Sequence, residues 1–353
     1  TWDESSSEAH WKNRPDNGQP FFAVFNFNGC HESGIADDAK YERVTEGIKR
    51  HDRDLVAGTL PPYYPDTPVT REDWGRYYDV MTAMDRWVGE HLAALEEAGL
   101  ADSTIVMFWS DHGVGLPRAK RWLYDSGTRV PLIVRIPERF RVNTQGTPGT
   151  RTDELVSLMD LGPTVLNLIG AGVPEQMKGR PFLGGDLPEP HRYIFGARDR
   201  MDERYDIIRA VRDERFRYIR NYEPFKTYYQ YMNTAEKGRI MQEIRRVEAE
   251  GSATEGVATF LVQTKPVEEL YDTINDPHEM NNLASNSEFS EVLERMRGVH
   301  NQWVVETGDL GLIPEAEINA RQEGVGSPWG ILQAEESAEL MGQIRDTASR
   351  SLE

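Results

Sequence analysis

One short stretch constrains the fold more than any other. Thr104-Ile105-Val106-Met107-Phe108-Trp109 is an uncharged apolar run that stops at Ser110-Asp111-His112-Gly113. Its length, branched residues and aromatics fit a buried strand. What surrounds it fixes the class. Upstream, Trp74, Tyr77, Tyr78, Met81, Met84, Val88, Leu92 and Leu95 recur at three- and four-residue steps, the apolar face of a long helix. Thr70 is its expected N-cap, and Gly99 its end. The four prolines at 61, 62, 65 and 68 make the preceding segment an extended loop. Downstream, Val130–Ile136 reads as a second strand stopped by Pro137, and Glu154–Ile169 as a helix whose main part starts at Pro163. Pro20–Phe27 is an earlier apolar run of strand type. Strand, helix, strand, helix, strand predicts an α/β fold, a mostly parallel sheet sandwiched by helices.

Past residue 190 the pattern changes. Arg192–Phe195, Ile207–Val211 and Phe216–Ile219 read as short strands, the last two joined by Arg212-Asp213-Glu214-Arg215. A charged helix is expected over Thr234–Glu250, and Leu270-Tyr271-Asp272 opens a turn rich in Asn, Asp and Pro. The predicted organisation is an α/β domain over 1–185, a smaller antiparallel α+β subdomain over 186–320, and a polar surface tail over 321–353.

Charge and composition exclude several functions. A net charge of −19 over 353 residues opposes general nucleic-acid affinity, which needs basic surface. No run approaches the ~20 apolar residues of a membrane helix. Cys30 is the single cysteine, so neither an internal disulfide nor a cysteine-rich zinc site is possible. No signal peptide is visible, and Thr1-Trp2-Asp3-Glu4 has no initiator Met, so a processed chain or a piece of a longer one is expected.

Ligands of open parallel sheets bind beyond the carboxyl ends of the strands. His31 lies just beyond the first apolar run, and Asp111 and His112 just beyond the second. A carboxylate there suits a hard divalent cation, and His112 would add a nitrogen ligand or an anion contact. The alternative is that Asp111 caps a helix and His112 bonds to backbone. Lys120 sits between Arg118 and Arg121 in an otherwise acidic chain. Cations beside a metal suit an anionic substrate; the alternative is a solvated basic loop. His31 would serve as general acid or anion contact, or as a structural strand-end histidine. A Cys30–His31 nucleophile pair is disfavoured, because neighbouring residues point apart.

These residues resemble the sulfatase family of the alkaline-phosphatase-like superfamily. The resemblance rests on PFFAVF followed by His31, on Met84-Asp85-Arg86-Trp87-Val88-Gly89 leading through Gly99–Thr104 into Ser110-Asp111-His112-Gly113, and on KRWLYDSGTRVP from Lys120 to Pro131. VSLMDLGPTVLNLIGAGVP, MKGRPFL and ELYDTINDPHEMNNLA look like the family's later part. It covers about residues 20 to 300. The Pro61–Pro68 loop and the short gap from Asp111 to Lys120 look most like the sulfamidase branch, which removes N-sulfate from glucosamine.

The resemblance implies roles. Asp111 and His112 match two ligands of a calcium ion. Lys120 matches the lysine that contacts the sulfate and the leaving oxygen. His31 matches a histidine of the sulfate pocket that assists the leaving group. Arg118 and Arg198 are candidate sugar contacts. The implied activity is hydrolysis of a sulfuric ester on a sulfated carbohydrate, in the periplasm or outside the cell, with no nucleic acid and no membrane span. Neither the family's formylglycine motif, C/S-x-P/A-x-R, nor its first aspartate pair is found. Asp37-Asp38 reads as surface, and the catalytic nucleophile is unknown. The expectation is that the N-terminal part of the domain is missing and that this chain alone is inactive. A phosphoric or phosphonic ester hydrolase of the same superfamily, and a non-catalytic relative that binds sulfated glycans, are the competing readings. Oligomeric state is open.

Overall fold

The helix Pro68–Glu97 is the element against which the N-terminal half is built. It starts two residues earlier than the expected cap. Pro68 occupies its first turn, where a missing N–H costs nothing, and Thr67, not Thr70, caps it by accepting from the Thr70 amide at 3.3 Å. It ends at Ala98, with Gly99 at φ +67°. The computed structural model describes residues 2–142, 146–334 and 337–350. Thr1 and, within the expected tail, residues 335–336 and 351–353 lie outside them.

The buried face of this helix carries a charge. Asp79 is fully buried and accepts from Tyr41 Oη at 2.5 Å and from the His51 amide and Nδ1, each at 2.8 Å. Arg53 lies 2.9 Å away. An unpaired buried carboxylate would be prohibitive. These partners bring the helix Asp38–Val44 and the 51–53 segment onto one point of the long helix. Asp37 and Asp38 are exposed, as expected, and Asp37 also caps Asp38–Val44 through the Lys40 amide.

Residues 20–27 pair with no strand among the described residues, yet their burial alternates as in a strand. Phe21, Phe25 and Phe27 point inward onto Trp11, His91 and Trp87, with ring centroids 5.6, 4.4 and 5.4 Å apart. Phe22 points out and is 62% exposed. The next two strands, β1 (Val106–Trp109) and β2 (Leu132–Arg135), pair antiparallel, with Phe108 opposite Ile133. The parallel pairing expected of neighbours fails here for a topological reason. Parallel neighbours need a crossover, usually a helix, and between these strands lies only the four-residue helix Asp125–Thr128. Residues 154–157 are not helical; a 3-10 turn at Leu158–Asp160 leads into the helix Leu161–Leu168.

The second sheet is an antiparallel meander of β3 (Ile194–Met201), β4 (Arg204–Arg212), β5 (Phe216–Asn221) and β6 (Glu268–Asp272). Leu270-Tyr271-Asp272 therefore belongs to a strand. The charged helix expected over 234–250 is two, Asn233–Glu236 and Arg239–Ala249, separated at Gly238. One face of the sheet supports the helix Ser290–Thr307 through Leu293 and Met296. The other face continues the main core: Ile208, Ala210 and Ile219 pack in one cluster with Trp74, Trp122 and Tyr124. The core thus runs across the boundary expected at 185.

The tail also departs from expectation. Glu315–Val325, Pro328–Gln333 and Ser337–Ser349 are helices, and Leu340, Ile344 and Ala348 of the last are buried against Ile207 and Val304. Their four-residue spacing is a helical stripe masked by the polar residues around it. Arg209, fully buried on β4, holds this layer through Asp199 at 2.7 Å and Asp309 at 2.5 Å.

His300 is fully buried on the helix Ser290–Thr307, 5.5 Å from the Tyr218 ring. Burial pushes its pKa from 6.5 to about 4. Below pH 6.5 the unfolded chain takes up a proton that the folded one refuses. The stability His300 gives is therefore complete above pH 6.5 and is lost as pH falls toward about 4. Urea titrations of wild type and His300→Gln across this window should show a shallower loss in the variant; equal slopes would contradict this.

Candidate active site

The residues beyond the first two apolar runs meet at one rim, and the backbone explains how. After Phe27 the chain makes a 3-10 turn, Asn28–Cys30, and His31 becomes the N-cap of the helix Glu32–Ala36. The turn is tight: a Cβ on Gly34 would sit 1.9 Å from the Gly29 carbonyl oxygen. Beyond β1, the Gly113 amide donates to Gly127 O at 2.9 Å, tying the Asp111–Gly113 loop to the short helix Asp125–Thr128. The loop between them has two non-glycine residues with left-handed backbone, Arg118 at φ +64° and Arg121 at φ +79°. Such backbone persists only where surroundings enforce it, and here ion pairs and backbone bonds do so.

Arg121, 6% exposed at its side chain, makes a two-pronged contact with Glu32 at 2.8 and 3.0 Å and bonds Asp202 at 2.5 Å. Burial pushes the Glu32 carboxyl up, but the Arg121 hydrogen bonds and charge outweigh it and hold the group below its ordinary value. Lys120, next in the chain, thereby reaches His31: its Nζ lies 2.8 Å from His31 Nε2 and 3.7 Å from Glu32. Burial and the Lys120 charge both lower the His31 pKa.

A cleft of about 1820 Å³ opens beside this pair, lined among others by His31, Asp111 and His112. Asp111 presents an 82% exposed carboxylate, 3.6 Å from His112 Nε2. His112 Nδ1 lies 2.7 Å from the Gly113 carbonyl oxygen, a contact that requires the proton on Nδ1 and leaves Nε2 as an open donor atom for a metal. The backbone bond considered for His112 is therefore present, and it leaves Nε2 uncommitted to backbone.

The other two candidate residues are placed inside the protein. Arg118 is buried, donates to the carbonyls of His278 and Glu279 at 2.9 and 2.6 Å, and stacks 3.8 Å above the Tyr124 ring. Arg198 lies 4.3 Å over the Trp122 ring and 3.6 Å from the buried Asp206. Neither lines the cleft. Burial pushes the Cys30 thiol up, which suppresses the thiolate that a nucleophile needs. Glu32 and Asp202 were not singled out from sequence. Glu32 beside His31 had no motif to mark it, and Asp202 meets Arg121 from a distant hairpin.

The sulfatase family model matches residues 6–171, and the model for the C-terminal part of N-sulphoglucosamine sulphohydrolases matches residues 118–245. The chain belongs to the sulfatase family. Sulfatase relatives agree with the two models. An ulvan-active sulfatase of Formosa agariphila is 39% identical over 90% of this chain and 56% of its own. The human N-sulphoglucosamine sulphohydrolase is 30% identical over 82% of this chain and 62% of its own. The chain thus spans little more than half the length of these relatives. The solved structure of a Bacteroides fragilis protein named as a sulfatase superposes with a TM-score of 0.53 at 23% identity, covering 76% of this chain and 51% of that one. That likeness establishes the alkaline-phosphatase-like α/β fold, with the antiparallel sheet in the C-terminal part.

In this sulfatase-family chain, the Glu32–Arg121 contact links the two loops that carry His31 and Lys120. Neighbouring, largely buried charges of this kind couple by roughly 0.5–3 kcal/mol. A double-mutant cycle with Glu32→Ala and Arg121→Ala, read by urea denaturation, should return coupling in that range. Additive losses would show that the pair does not join the loops.

Proposed function

We propose that these residues form the sulfate- and metal-binding side of a sulfuric ester hydrolase acting on a sulfated carbohydrate. The observation that carries this is that His31, Asp111 and His112 line one cleft and that Lys120 Nζ lies 2.8 Å from His31 Nε2. Lys120 would contact the sulfate and the leaving oxygen. His31 would complete the sulfate pocket and support Lys120.

Calcium is the proposed cofactor. Asp111 and His112 fit it in chemistry, one exposed carboxylate and one imidazole whose second nitrogen is already fixed by backbone. Calcium takes six to eight ligands, and among the described residues no cluster of three or more metal-binding side chains exists. The two residues would therefore supply part of its shell. When bound, the ion would neutralise sulfate charge. None of the 353 residues fits C/S-x-P/A-x-R, so these residues alone would bind a sulfated sugar without hydrolysing it. The formylglycine of the complete reaction would come from elsewhere.

The match over 118–245 supports a sulfated aminosugar as substrate, and the ulvan-active relative supports a sulfated polysaccharide. A polymer of that kind favours a periplasmic or secreted setting. No helix among the described residues is long and apolar enough to cross a membrane. Arg118 and Arg198 would act on the sugar only indirectly, by holding the Lys120 loop and the β3 strand in place.

Calorimetric titration tests this reading. With calcium present, glucosamine 6-sulfate or N-sulfate should bind measurably tighter than glucosamine. Lys120→Ala should weaken binding about tenfold or more, about 1.4 kcal/mol. Equal affinity for sulfated and unsulfated sugar, unchanged by Lys120→Ala, would overturn it.

A further inference from the structure

His31 is held at both ring nitrogens. Nε2 lies 2.8 Å from Lys120 Nζ, and Nδ1 lies 3.1 Å from Ser33 Oγ. The same hydroxyl oxygen accepts from Lys40 Nζ at 2.9 Å. Lys40 stands on the helix Asp38–Val44, which Asp37 caps. The result is a four-residue chain, Lys120–His31–Ser33–Lys40, with a lysine at each end.

This arrangement decides where the imidazole proton sits. A lysine ammonium has three donors and no acceptor, and the Glu32 carboxylate lies 3.7 Å from Lys120 Nζ. Were His31 Nε2 protonated, two donors would oppose each other at 2.8 Å. Nε2 must therefore offer its lone pair, and a neutral ring then carries its hydrogen on Nδ1, where Ser33 Oγ accepts it. The Ser33 amide also approaches Nδ1, at 3.4 Å, the arrangement the opposite tautomer would use. That contact is long, and the short bond at the other nitrogen excludes it. A doubly protonated ring is opposed by burial and by Lys120, Lys40 and His112, with Glu32 alone favouring it.

We propose that Ser33 and Lys40 are positioning residues that lock His31 in the Nδ1–H tautomer, so that Nε2 accepts from Lys120 and the Lys120 ammonium is the proton-bearing group offered to a sulfated substrate. The role rests on the reading above; the tautomer does not. It reverses one implication of the family resemblance. While Lys120 occupies Nε2, His31 donates nothing into the pocket, and its task is to hold the lysine.

Long-range proton–nitrogen correlation of the histidine-labelled full chain near neutral pH reads the tautomer directly. The His31 signals are assigned by their absence in His31→Gln. Wild type and Ser33→Thr, which keeps the hydroxyl, should show the Nδ1–H pattern. Ser33→Ala should lose it, populating Nε2–H, and Lys40→Met should shift it the same way. The signals of buried His300 report that each variant is folded; if Ser33→Ala is not, Lys40→Met decides. An Nε2–H pattern in wild type, or a pattern untouched by the deciding variant, overturns the proposal. An Nδ1–H tautomer in a chain that binds no sulfated sugar would leave the positioning standing and remove the functional reading. Sugar binding with an Nε2–H tautomer would do the reverse.

Discussion

The site depends on one ion pair. Glu32 begins the helix after His31, and Arg121 follows Lys120; their two-pronged contact closes the distance between loops that are 89 residues apart in sequence. The geometry matters more than the energy. An exposed pair of this kind would be worth little, but Arg121 is nearly buried and has a second carboxylate, Asp202, on its other side. With its guanidinium held between two elements, the left-handed backbone at Arg118 and Arg121 is enforced, and Lys120 has one direction in which to point. Rigid elements that fix a small set of polar groups are what a preorganised anion site requires.

The rest of the fold supplies the platform. Asp202 reaches Arg121 from the β3–β4 hairpin, and Trp122 and Tyr124, just past the lysine loop, are buried with Ile208, Ala210 and Ile219 of the same sheet. The antiparallel sheet thus forms the floor beneath the lysine loop. Buried charges do part of this work. Arg118 sits between Tyr124 and the His278 and Glu279 carbonyls. Arg217 bonds Leu123 O, pairs with Glu279 at 2.7 Å and also contacts Asp125. Each guanidinium fixes a residue of the loop that no apolar side chain could orient.

Much of this was legible in sequence, for identifiable reasons. The apolar run ending in Ser110-Asp111-His112-Gly113 marked a strand end, and strand ends are where open α/β sheets place ligands. The basic residues around Lys120 stood out against an acidic chain. The long helix followed from periodicity, and β1 and β3 to β5 from short apolar runs, whereas β6 read as the opening of a turn. What was not legible depended on long-range pairing. Nothing local distinguishes the antiparallel pairing of β1 with β2 from a parallel one, since that is set by how much chain forms helix between them. Arg118 and Arg198 read as available cations, because a sequence does not show that Tyr63, Tyr124, Trp122 and Asp206 will surround them. The C-terminal helices were hidden because an apolar stripe of a few residues is diluted by charge.

The central claim is that Lys120, held by His31 and by the Glu32–Arg121 pair, is the anion contact of a sulfated-sugar site whose rim also carries Asp111 and His112. A crystal structure of the chain with glucosamine 6-sulfate and calcium tests it most directly. The account predicts sulfate oxygens within hydrogen-bond distance of Lys120 Nζ, with the cation on Asp111 and His112 Nε2. A sulfate bound elsewhere, with Lys120 still bonded only to His31 and Glu32, would contradict it.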